Sequence, residues 1–140
     1  MSEFLPGLLV AISGFIVFLL GAIHIVFTFS GSRLSPKDID LQSDMQRIAP
    51  RVSPDTTMWR AWIGFNASHS MGAMLYGVVY AYLAILAPVL LFDSLFLAMV
   101  GAIFLCGYLY LAYRYWFKIP LYGILVAAFF YGAGYVAALA

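Results

Sequence analysis

Apolar residues come in long unbroken runs along this chain, with polar residues gathered into short interruptions. Leu8 to Phe27 is interrupted only by Ser13 and His24. At 1.5 Å per residue such a run covers a hydrocarbon core of about 30 Å. Pro6 precedes it, where a first helical turn has N–H groups to spare. A second helix is expected from an Ser53 N-cap and Pro54 to Ala87, where Pro88 stops it. It is longer than a bilayer requires, which places its first turns at the interface. A third follows an Asp93 cap and runs to about Phe117, and a fourth starts at Pro120. The pattern predicts helices near 6–30, 54–87, 93–117 and 120–139 in a single membrane domain. The predicted fold is all-α, an integral membrane four-helix bundle whose short loops make the last three helices antiparallel neighbours.

The 31–53 loop has a pattern of its own. Ser35 as cap, Pro36 as first helical residue and Asp38 three positions after the cap form a capping-box-like start, with Leu34 stapling to Ile39. Leu41, Met45 and Ile48 then make one apolar stripe before Ala49-Pro50 ends the segment. This predicts a short amphipathic helix against the bundle mouth or the lipid headgroups.

Composition sharpens the picture. The chain of 140 residues is 65% hydrophobic and 9% charged, too few charges to cover a soluble domain of that apolarity. A net charge of +1 with scattered basic residues speaks against nucleic acid as a partner. The lone Cys106 excludes an internal disulfide. Glu3 stands where a signal peptide carries a basic residue, so the first run reads as a retained helix. All seven basic residues fall on one side. Arg33, Lys37, Arg47, Arg51 and Arg60 lie in or just after the loop, and Arg114 and Lys118 lie at the turn between the last two helices. The opposite side holds Glu3 and Asp93. The expected location is a bacterial inner membrane, with both termini extracytoplasmic and the 31–53 loop cytoplasmic. Trp59, Trp62 and Trp116 fall at the same cytoplasmic level, as an interfacial belt requires.

Two seams carry the candidate chemistry. In the second helix Trp59, Trp62, Asn66, His69, Ala73, Tyr76 and Tyr80 alternate at steps of three and four and share a face, and Gly64, Ser68 and Gly72 form a small-residue ridge. In the first, Gly7, Val10, Gly14, Val17, Gly21, His24 and Thr28 follow the same alternation. His24 lies about 9 Å inside Ser30 and His69 about 15 Å inside Trp59. Their similar depth predicts a buried polar cluster with Asn66 and Ser70. Polar groups at that depth mark function, or serve as hydrogen-bonded glue between helices.

Three classes of function fit. The first is a non-enzymatic accessory subunit, homo-oligomer or binder of membrane lipids or other lipophilic molecules, supported by the small pairs Ala128–Gly132 and Gly134–Ala138. The second is a b-type haem between His24 and His69, with Gly21 and Gly72 leaving room for the macrocycle. No other metal site is expected. The third is a membrane enzyme acting on a lipophilic substrate, with Arg60, Asn66, His69 and Arg114 binding an anionic group or moving a proton. The ligand set common to these readings is His24, Arg60, Trp62, Asn66, His69, Ser70, Tyr76 and Arg114.

The run Met58-Trp59-Arg60-Ala61-Trp62-Ile63-Gly64-Phe65-Asn66-Ala67-Ser68-His69-Ser70 resembles the signature of a family of small bacterial four-helix membrane proteins without assigned function. The likeness extends to Gly21-Ala22-Ile23-His24 and to Tyr115-Trp116-Phe117-Lys118-Ile119-Pro120, and it implies the architecture alone. The layout and Arg60-Ala61 also resemble the membrane-associated eicosanoid and glutathione metabolism family, which implies glutathione-transferase-like chemistry. That family's motif has asparagine four residues after the arginine and glutamate three further on. Here Asn66 follows Arg60 by six, and His69 holds the glutamate's place.

Overall fold

Backbone N–H and C=O groups in hydrocarbon need partners within the chain, and a helix supplies them residue by residue. The computed structural model describes residues 4–140 and has no strand among them. Glu3 lies outside the described residues. The helices are α1 (Phe4–Phe29), α2 (Ile39–Arg47), α3 (Met58–Leu86), α4 (Pro88–Asp93), α5 (Leu95–Tyr115) and α6 (Lys118–Leu139). Four of them, α1, α3, α5 and α6, are long and apolar enough to cross a membrane. The chain is in this respect compatible with an integral membrane protein.

Helix starts differ from the sequence expectation wherever two capping residues compete. The loop helix begins at Ile39 and not at Pro36, because Asp38 is the N-cap and its carboxylate accepts from the N–H groups of Asp40 and Leu41. Ser53 does not cap α3; its hydroxyl accepts from Asp55 N–H in a tight turn. The helix starts four residues beyond Pro54, with Thr57 Oγ1 accepting from Arg60 N–H. Asp93 ends the short α4 that Pro88 opens, and Ser94 caps α5 by accepting from Leu97 N–H. Pro120 is the third residue of α6, still within the first turn where no N–H is needed.

The contacts divide the chain into two compact units, one formed by the chain up to Leu20 with Ala73–Ala140, the other by Gly21–Gly72. In the first unit the glycine seam of α1 is the contact surface. A Cβ on Gly14 would stand 2.7 Å from the Gly77 carbonyl, and one on Gly77 would run into the Gly14 carbonyl and stand 2.6 Å from Phe18 Cβ. Gly7 meets Ala84 O in the same way, so this part of α1 and the second half of α3 run antiparallel with backbones touching. Gly134 of α6 receives Val10 and Pro6, and Gly123 receives Leu20. Val10, Val17, Leu91, Ile124 and Ala127 fill the interior. In the small-residue ridge of α3, Gly64 and Ser68 are exposed, and among the described residues nothing lies within 4 Å of a Cβ at Gly64.

Aromatic rings join α3, α4, α5 and α6 in this unit. Tyr76 stacks on Phe104 at 4.2 Å and on Tyr80 at 4.5 Å, and Tyr80 meets Tyr131 edge-on at 5.9 Å. Their hydroxyls reach helix carbonyls: Tyr80 Oη donates to Leu97 O at 2.7 Å and Tyr131 Oη to Ala98 O at 2.8 Å. Tyr131 crosses directly over Gly101, where a Cβ would collide with the ring. The hydroxyls of Ser13 and Tyr76 are buried without a hydrogen-bond partner among the described residues.

The glycine crossing yields a direct test. Gly77→Ala places a methyl against backbone on one side and Phe18 Cβ on the other, and should destabilise the protein in detergent by about 1–3 kcal/mol. Gly107→Ala has open space around it and should be neutral or stabilising by about 0.5–1 kcal/mol. Equal thermal midpoints for the two variants would show that the crossing is not tightly packed.

Candidate functional site

The second unit contains the end of α1, the loop with α2, and the first half of α3. Its loop is tied to α3 at two points. Met58 N–H donates to Ile48 O at 2.8 Å, and the Trp62 indole donates to Leu34 O at 3.2 Å. Arg33 lies over the Phe27 ring at 4.4 Å, keeping its charge at the end of α1.

Four of the predicted site residues come together here. His24 Nε2 lies 2.9 Å from Asn66 Oδ1. Asn66 Nδ2 donates to Trp62 O at 2.8 Å, which fixes the amide's orientation because a carbonyl accepts only. Oδ1 therefore faces His24, and Nε2 must be the protonated nitrogen of that ring. A neutral His24 then carries its lone pair on Nδ1. The His69 ring packs edge-to-face on His24 with centroids 5.4 Å apart. Ser70, fully buried, donates to Asn66 O at 2.8 Å. Thr28, placed on the α1 seam but not among the expected ligands, donates to His24 O at 2.8 Å. Its position four residues after His24, facing the same way, was the available signal.

The remaining candidates are placed elsewhere. Trp62 contributes its backbone carbonyl to the cluster, while the residue is 41% exposed and its indole serves the loop. Arg60 is exposed. Tyr76 and Arg114 belong to the other unit, Tyr76 within the aromatic stack and Arg114 exposed with its guanidinium 6.0 Å over the Tyr115 ring.

The geometry constrains what the cluster can hold. A bis-histidine haem needs an iron and a macrocycle between the two imidazoles. Here the rings are in edge contact and His24 Nε2 is engaged by Asn66, so the cluster would have to open and reorient both side chains. No group of three or more His, Cys, Asp or Glu side chains among the described residues is arranged to hold a metal ion.

No family model, curated protein or solved structure matches the chain.

The hydrogen bond between His24 and Asn66 should appear as coupling between the two positions. Asn66→Leu leaves the His24 Nε2–H without its acceptor and should cost about 1–2 kcal/mol. Adding His24→Leu to that variant should recover part of the loss, giving a coupling energy on the order of 1 kcal/mol in a double-mutant cycle. Strict additivity in detergent unfolding would contradict the bond.

Proposed function

We propose that this chain is a four-helix membrane bundle that binds lipids or other lipophilic molecules without catalysing a reaction, as a homo-oligomer or as a subunit of a membrane complex. Its polar seam, His24, Asn66, His69 and Ser70, is the part that meets the ligand's headgroup. The observation that carries this reading is the hydrogen-bonded set at His24 and Asn66, part-buried between two apolar helices. A bond between membrane helices contributes only about 0.6–2 kcal/mol, and leucine at the same positions is compatible with packing. Stability alone therefore gives little reason for four polar residues at one level, and a polar ligand gives a direct one.

Further observations support the arrangement. Antiparallel contacts of α1 with α3 and α6 in the first unit suit a bundle. The seven basic residues lie at the loop and at the α5–α6 turn, which favours both termini outside and the loop in the cytoplasm of a bacterial cell. In α2, Ile39 and Leu41 are exposed while Asp44 and Arg47 pair at 2.6 Å, as suits a helix resting on headgroups. The enzyme reading is disfavoured because Asn66, Ser70 and Thr28 direct their hydrogen bonds to the protein itself, holding the cluster in place and leaving none of them to activate a reacting group. The enzyme reading also needs Arg60 and Arg114, which stand exposed. Membership in the small bacterial four-helix family remains part of the proposal, resting on the Met58–Ser70 segment.

Native mass spectrometry of the protein released from membranes tests the reading. The wild type should retain a lipophilic molecule, and His69→Leu should fold with a similar thermal midpoint yet lose it. An exposed control, Ile103→Ala, should keep it. In a Cys106→Ala background, a cysteine at Ser43 should label only from the cytoplasm and one at Ala140 only from outside. Full retention by His69→Leu would defeat the proposed site, and labelling of Ser43 from outside would reverse the orientation.

A further inference from the structure

Both of the chain's histidines lie in the second unit, and their rings touch. They come from different helices, so no spacing along the sequence announces what they could hold together. The bond from His24 Nε2–H to Asn66 Oδ1 leaves the lone pair of that ring on Nδ1. A metal-bound imidazole has the same arrangement. One nitrogen sits on the ion, and the other donates its N–H to an oxygen that fixes the tautomer and raises the ring's basicity. Asn66 is itself held by the Trp62 carbonyl, so this outer support is already built around His24.

His69 supplies a second imidazole at the separation that ligation requires. Zn–N bonds of about 2.0–2.1 Å, with about 1.1 Å more from nitrogen to ring centre, put two rings on one tetrahedral ion about 5.2 Å apart. On the same dimensions, trans ligands of a haem iron stand about 6.4 Å apart. The observed centroid separation is 5.4 Å. The ring planes meet at 79°, and turning His69 about its Cβ–Cγ bond, a soft torsion, aims a ring nitrogen at the ion. Both residues are half-buried, so water can reach the remaining coordination positions. A divalent charge in an apolar setting needs that hydration.

We infer that His24 Nδ1 and His69 bind a divalent late transition ion of the Zn2+, Co2+ or Ni2+ type, with water completing its coordination. Asn66 is the positioning residue that keeps His24 in the metal-binding tautomer. Imidazole suits these ions, whereas Mg2+ and Ca2+ require oxygen ligands. Metal binding is independent of lipid retention: protein stripped of lipid reports the first, and native mass spectrometry reports the second.

The test is a titration of Co2+ into the untagged, lipid-stripped protein in neutral detergent, because four-coordinate Co2+ absorbs strongly in the visible. The bands should saturate at one ion per chain and disappear on adding Zn2+ but not on adding excess Mg2+. His24→Leu and His69→Leu should each abolish them, and Asn66→Leu should weaken binding by about 10–100-fold. Cys106→Ala should leave binding unchanged. Nitrogen NMR of the wild type needs no variant to fold: Zn2+ should move the His24 Nδ1 resonance while Nε2 stays protonated. Absence of the bands at saturating Co2+ would overturn the proposal, as would full binding by His69→Leu or Zn2+ arriving at His24 Nε2.

Discussion

Hydrocarbon offers a polar group no water to bond with, and the rest of this structure follows from that constraint. The backbone meets it by being helical throughout the four long apolar segments. Side chains meet it by bonding to helix carbonyls, one turn away or on a neighbouring helix, or to each other. Ser70 and Thr28 take the first route, and His24 with Asn66 the second. Among the described residues the buried hydroxyls of Ser13 and Tyr76 take neither, so the rule governs most but not all of the interior.

Helices that have met this constraint still have to hold together without a hydrophobic drive between them. The two units do so by different means. Up to Leu20 and beyond Ala73, close backbone approach at Gly7, Gly14 and Gly77 combines with a row of tyrosines whose hydroxyls end on neighbouring carbonyls. Within Gly21–Gly72 the binding is polar: the histidine–asparagine contact, the indole of Trp62 on Leu34, and the N–H of Met58 on Ile48. Dispersion between touching backbones is tolerant of chemistry but not of volume. Hydrogen-bonded contact is the reverse, tolerant of small changes in volume but not of the loss of a donor or acceptor.

The α1 seam was legible in the sequence almost residue for residue. Gly7, Val10, Gly14, Val17, Gly21 and Thr28 are all buried, because heptad spacing of small residues leaves only one face on which another helix can sit closely. The α3 seam was legible in part. Asn66, Ala73, Tyr76 and Tyr80 are buried, while Trp62 swings out to the loop and Ser70 and Gly77 complete the inner face. Helix ends were read less well, since Ser35, Ser53 and Asp93 each compete with a nearby residue that caps better in three dimensions. Which glycines touch backbone could not be read at all. Gly64 and Gly77 look alike in sequence, and only the crossing point of the partner helix separates them. Nor does spacing reveal which atoms of the polar cluster bond, because that depends on the amide orientation that the Trp62 carbonyl imposes.

That orientation is the pivot of the site, and nitrogen NMR of the histidine rings tests it directly. In the folded protein in detergent or lipid, at a pH where the rings are neutral, His24 should appear as the Nε2–H tautomer. Its Nε2–H proton should be shifted and slow to exchange, because it is held against Asn66 Oδ1 at 2.9 Å. In Asn66→Leu the same proton should exchange rapidly. An Nδ1–H tautomer in the wild type, or a His24 signal indifferent to Asn66→Leu, would contradict the cluster on which the functional reading is built.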